Sequence, residues 1–275
     1  LAKRVIFLHM VGAPSQIDLF DPKPILAKYQ HKSLPDDVVK NVNFSFISSD
    51  SAALPSPWEF KKCGRRGTQI SSLLPHFSKV VDNVCIIRSM HTHEFNHPGA
   101  ELVLHTGFGQ LGRPSLGAWV DYALGSANPD LPSNIVKCTG GGSAAGTATW
   151  GTGFLPTQHQ GVRLRGSRDS VLFLSKPDGV DDKRRRRILD AVRSLNEMQL
   201  AKGHDPETET RIAQYETAYR MQKSVPDLVD LRSESKEALD MYGINPSKPS
   251  FARNCLMARR LAERGVRFIQ LMNGD

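Results

Sequence analysis

Ser250-Phe-Ala-Arg-Asn-Cys-Leu-Met-Ala-Arg-Arg-Leu-Ala-Glu-Arg-Gly-Val-Arg-Phe-Ile-Gln-Leu-Met272 reads as a helix followed at once by a strand. Ser250 is of N-cap type, and Gly265 supplies the left-handed stop that ends many helices. Val266 to Met272 is then an apolar run of strand length. Two more such runs lie upstream, at residues 3–10 and in Asn134-Ile-Val-Lys-Cys138, and a third reading of the same kind falls on 84–89. Helical patterns separate them: Pro98 to His105, and Pro114 to Leu124 with Gly125 as its stop. Strands alternating with helices predict an α/β fold with a largely parallel sheet.

The spacing of Ile70, Leu73, Leu74, Phe77 and Val81 predicts a helix over 68–81, kinked or started late by Pro75. Residues 11–67 read as loop-rich, 139–153 as a flexible Gly-rich loop, and 162–174 as a hairpin or irregular cover. From 180 to 249 the chain turns helical, which predicts a helical insertion between strands. A helix at 182–202 carries Leu189, Val192, Leu195 and Met198 on one stripe; a second runs from an Asp205 cap to about 223, stopped by Pro226; a third spans 233–242 and ends at Gly243.

The chain has 275 residues and a net charge of +8. Much of the excess lies in Lys183-Arg-Arg-Arg-Arg187, read as a solvated helix face offset by Asp181 and Asp182. No further basic stripe with stacking aromatics accompanies it, so nucleic acid is not an expected partner. No run approaches the roughly 18–20 apolar residues of a transmembrane segment. Cys63, Cys85, Cys138 and Cys255 form no Cys-x-x-Cys pair; the last three read as buried thiols. The chain starts at Leu1 directly before a core strand and ends at Asp275 just after another. The expectation is one incomplete domain, truncated at both ends.

In parallel α/β sheets, ligands bind beyond the carboxyl ends of strands. His91-Thr-His-Glu-Phe-Asn-His97 follows one predicted strand, and Ser15, Asp18 and Asp21 follow another. Imidazole with carboxylate suits Zn, Mn or Fe, whereas carboxylate alone suits Mg or Ca. His97 stands before Pro98 at a helix start, where the dipole disfavours imidazolium and keeps the ring able to bind metal or accept a proton. His91 and His93 alternate and are expected to point the same way. Asp18 and Asp21 are candidate ligands with an ordinary alternative as turn residues. Ser15 is a candidate nucleophile or a simple cap. Glu94 and Glu101 are available to orient a ligating histidine. His105, in a last helical turn, reads as a dipole partner.

Four motifs, Arg4 to Pro24, Phe95-Asn-His-Pro-Gly99 with Leu104-His-Thr-Gly107, Ala218-Tyr-Arg-Met-Gln222, and Phe251 to Gln270, resemble the bacterial family catalogued as domain of unknown function 1501. The resemblance covers essentially the whole chain. That family is similar to the alkaline phosphatase and sulfatase superfamily. The resemblance implies a three-layer α/β/α sandwich, hydrolysis of a phosphate or sulfate ester of a small molecule or glycan, a divalent metal (Zn, Mn, Mg or Ca), and export. It points to Asp18, His91, His93 and His97 as ligands and to His97 and Ser15 as catalytic candidates. Two departures stand out. Sulfatases keep a nucleophilic Cys or Ser ten residues before the Gly of a Thr-Gly pair, and counting back from Gly107 gives His97. The family's Trp-Asp-x-His run would follow Asp275, so part of the metal site is expected beyond this segment. A non-catalytic binding protein with the same fold is the competing expectation.

Overall fold

The computed structural model describes residues 2–40, 51–165, 179–203, 206–245 and 248–274. In chain order its regular elements are β1 (Val5–Met10), α1 (Gln16–Leu19), α2 (Asp36–Val39), β2 (Phe60–Cys63), β3 (Thr68–Ser71), α3 (His97–Thr106), α4 (Leu116–Leu124), β4 (Asn134–Gly140), β5 (Val162–Arg163), α5 (Asp182–Gly203), α6 (Pro206–Val229), α7 (Lys236–Tyr242), α8 (Phe251–Glu263) and β6 (Phe268–Gly274). They fall into two compact units, one of residues 1–11 with 97–275 and one of residues 12–96.

The first unit is a mixed α/β body around a parallel sheet of order β1-β6-β4-β5. The side-chain alternation of a strand gives this sheet two faces. Ile135, Ile269 and Leu271 point to one face and pack with Leu256, Met257 and Leu261 of α8. Val136 and Met272 point to the other and pack with Trp150. Ser250 caps α8 with its hydroxyl, as its sequence position predicts, and Ser115 caps α4, which starts at Leu116 and not at Pro114. Gly125 and Gly243 close α4 and α7 at positive φ.

α6 does not stop before Pro226 but runs through it to Val229. A proline inside a helix costs about 3 kcal/mol. Val225 and Leu228 are both fully buried in the core beside α8. Burying two such side chains contributes roughly 3–6 kcal/mol, enough to carry the helix across the break. On α5 the buried stripe is also shifted from expectation. Leu189 and Asn196 are buried, with Val192 and Leu200 half-buried, whereas Leu195 and Met198 face outward. The Asp205 cap and most of the 162–174 segment lie outside the described residues; Val162–Arg163 is a short parallel strand beside β4.

The second unit departs further from the sequence reading. Thr68–Ser71 is a strand, not a helix, and pairs antiparallel with Phe60–Cys63. Gly64 and Gly67 turn the chain between them at positive φ. At Gly64 a Cβ would lie 2.5 Å from the Asp82 carboxylate, so glycine is required twice over there. Residues 84–89 form no strand, and Val84, Cys85 and Ile87 are exposed. An apolar run becomes a strand only when a neighbour takes its backbone hydrogen bonds, and no ladder partner for 84–89 is found among the described residues. Cys85 is therefore not the buried thiol expected, and Cys138 and Cys255 are half-buried.

Candidate functional site at the carboxyl edge of the sheet

Parallel pairing brings the ends of β1, β6 and β4 to one edge: His9 is level with Met272, and Thr139 with Asn273. The alternation in Val5-Ile-Phe-Leu-His-Met10 puts Val5, Phe7 and His9 on one face. α3 covers that face near the tip. Glu101 and His105 are four residues apart on α3, hence on the same side of it, and both are buried. The His9 and His105 rings meet edge to face at 4.8 Å, and Phe7 packs on His105 at 5.0 Å. His9 Nε2 lies 3.6 Å from Glu101 Oε1.

The Gly-rich stretch after β4 completes the cluster. The Ser143 hydroxyl and the Ala145 N–H both donate to Glu101 Oε2, at 2.5 and 3.0 Å. That is why 139–153 is not a loose cover: it turns around a buried carboxylate, and Thr149 and Trp150 are buried behind it. Burial pushes the Glu101 carboxyl up. The Ser143 and Ala145 hydrogen bonds and the neighbouring His9 outweigh it and hold the group below its ordinary range. Burial depresses His9, opposed by the Glu101 charge. Burial, with His9 beside it, lowers His105 to about 4. Near neutrality the cluster is thus one carboxylate with two uncharged imidazoles. His9 Nε2, Glu101 Oε1 and His105 Nε2 are buried without a hydrogen-bond partner among the described residues. Such atoms are rare in folded proteins and call for an explanation.

At the same edge, a cleft of about 450 Å³ opens between the end of β4 and the start of α8. Thr139, Gly140, Ser250, Arg253 and Asn254 line it. Asn254 is fixed by donating to the Thr139 hydroxyl at 2.8 Å and to the Cys138 carbonyl at 3.4 Å.

The residues named from the sequence are placed differently. His97 is the first residue of α3 and is exposed. Ser15, Asp18, His91 and His93 belong to the other unit. Ser15 is exposed at the start of α1. Hydrogen bonds from Ser56 and Ser15 hold the half-buried Asp18 carboxyl below its ordinary range. Asp21 pairs with Lys23 at 2.7 Å. His91 and His93 are exposed, with perpendicular rings 6.0 Å apart. Among the described residues no three His, Cys, Asp or Glu side chains are arranged to hold a metal ion. His9, Glu101 and His105 have the right chemistry for Zn or Mn, but as placed they do not form a ligand set. His9 was legible only through the alternation of β1, which puts it on the inner face at a strand tip; Glu101 and His105 were legible through their four-residue spacing.

No curated protein and no solved structure matches the chain. The family model described as "Protein of unknown function (DUF1501)" matches residues 2–275, and the chain belongs to that family.

Proposed function

We propose that the protein is a hydrolase of the alkaline phosphatase and sulfatase type, exported, with the α/β/α sandwich of that superfamily, acting on a phosphate or sulfate ester of a small molecule or glycan. One observation carries the reading: two neutral imidazoles and a carboxylate, each with an unpartnered buried atom, meet at the carboxyl edge of a parallel sheet. Buried acid–base groups at a strand edge are the arrangement proton transfer requires. His9, held beside the ionised Glu101, is the proposed proton acceptor; His105 keeps its ring in place. The anionic end of the ester is assigned to the cleft by Arg253, where the first N–H groups of α8 favour negative charge. The resemblance implies a divalent metal, which would polarise the ester. Asp18, His91, His93 and His97 are its expected ligands from sequence, and Ser15 and His97 the expected catalytic groups; that assignment rests on the residues' sequence positions and on the resemblance.

A second reading, an exported binding protein without turnover, has one observation in its favour. Ser15, the candidate nucleophile, hydrogen-bonds Asp18, so its hydroxyl is committed to a carboxylate. Nitrophenyl phosphate and nitrophenyl sulfate, with and without added divalent metal, separate the two. Turnover lost in His9→Gln supports the hydrolase; saturable ester binding without turnover supports the binding protein.

A further inference from the structure

α5 carries two apolar stripes, and its partner α6 covers only one of them. Leu189, Val192, Asn196 and Leu200 face inward. Ile188, Ala191, Leu195 and Met198 recur at spacings of three and four on another side, and all are exposed, Leu195 at 66% and Met198 at 62%. The same stripe begins with Arg184 and ends with Lys202, both exposed, and Arg187 flanks it. From Arg184 to Lys202 it runs about 27 Å. Asp190 and Glu197 lie roughly a third of a turn or more away around the helix. Asp190 is also tied to Arg186, which pairs with Glu216 of α6.

This face combines apolar side chains with cations at both ends; the Asp181 carboxylate beside its first turn accepts a hydrogen bond from the Arg184 N–H. A second copy of the chain does not suit it. Antiparallel pairing sets Arg184 against Lys202, and parallel pairing sets each cation against itself. Nor does the stripe hold a buried polar position of the kind that fixes the register of a partner helix. An anionic bilayer surface needs no register. It offers negative headgroups at the depth of the long cationic side chains and an apolar layer beneath them. No described helix is long and apolar enough to cross a membrane, so the contact would lie in the interface.

We propose that the outward face of α5 binds an anionic lipid surface. The inference is independent of hydrolysis and is tested without turnover. The protein is floated with vesicles of phosphatidylcholine and with vesicles of phosphatidylcholine mixed with phosphatidylglycerol. Association with the mixed vesicles only, weakened by salt, is expected. Removing one cation, as Arg184→Gln, Arg187→Gln or Lys202→Gln, should weaken it about fivefold each. Leu195→Gln with Met198→Gln should abolish most of it while thermal unfolding stays unchanged, because both side chains are already in water. Equal association with both vesicle types, association with neither, or full binding by the Leu195→Gln, Met198→Gln variant overturns the proposal. So does capture of an acidic helical peptide by a protein that ignores both vesicle types.

Discussion

His9 Nε2 stands 3.6 Å from Glu101 Oε1, beyond hydrogen-bond range, and neither atom has a hydrogen-bond partner among the described residues. The carboxylate is held from its other oxygen by Ser143 and Ala145. Glu101→Gln removes the charge that both donors and His9 face. Hydrogen bonds to a buried charged group are worth about 1.5–3 kcal/mol. The expected loss is about 2 kcal/mol, seen as a lower urea midpoint with unchanged m-value.

Stability should fall in mild acid. His105 titrates at about 4 in the fold, against an ordinary 6.5. Between those values the unfolded chain binds more protons, so stability rises with pH across the window and is lost as pH falls through it. His9 is lowered too, and adds loss of the same sign below 6.5. Glu101 is also lowered, so its contribution disappears as pH drops below its ordinary 4.5. Acidification from about pH 7 to about pH 5 should lower Tm, by an amount equivalent to at most about 2 kcal/mol from His105. His105→Phe should flatten the profile, measured by calorimetry across the range.

Gly117 is a place where a better helix former is expected to harm the protein. It lies in α4, and a Cβ there would come within 2.6 Å of the whole Asn134 amide. Gly117→Ala should cost about 1–3 kcal/mol through overpacking, despite gaining nearly 1 kcal/mol of helix propensity. Asn134→Ala in the same chain should relieve it. A double-mutant cycle read by chemical denaturation checks the coupling.

Arg260 is buried at 4% exposure and donates to Glu234 Oε1 at 2.7 Å and to the Asp227 carbonyl at 2.9 Å. It joins α8 to the end of α6 and to the turn before α7. Arg260→Ala leaves the half-buried Glu234 carboxylate to Arg259, which contacts it at 2.5 Å. The expected cost is about 1.5–3 kcal/mol, that of charged hydrogen bonds lost. The double variant Arg260→Met, Glu234→Leu should recover a large part of it in the same denaturation assay.

What sequence made legible here is what local chemistry determines. Ser250, Gly125 and Gly243 mark helix ends by capping and φ alone, and they stand where expected. The strands β4 and β6 were legible because their apolar runs are buried in a parallel ladder, and β1 because its apolar run pairs with β6, although Val5, Ile6, Leu8 and Met10 are exposed. The run 84–89 has equal apolar content, but strand formation depends on a neighbour that no local signal supplies. Pro226 was read as a stop because proline is locally unfavourable, while the burial of Val225 and Leu228 that offsets it is tertiary. The site shows the same division. His97, His91 and His93 stand out by crowding in sequence, yet they are exposed. His9, Glu101 and His105 are 92 and four residues apart in sequence, and only the docking of α3 on β1 gathers them.

The most direct measurement is the rate of phosphate- and sulfate-ester hydrolysis by the wild-type protein and by His9→Gln, with circular dichroism confirming that the variant is folded. If the carboxyl-edge cluster transfers the proton, the wild type turns over one ester class and His9→Gln loses about 10²–10⁴-fold in kcat. Turnover that His9→Gln leaves intact, or a wild type that hydrolyses neither ester with any divalent metal, contradicts the account.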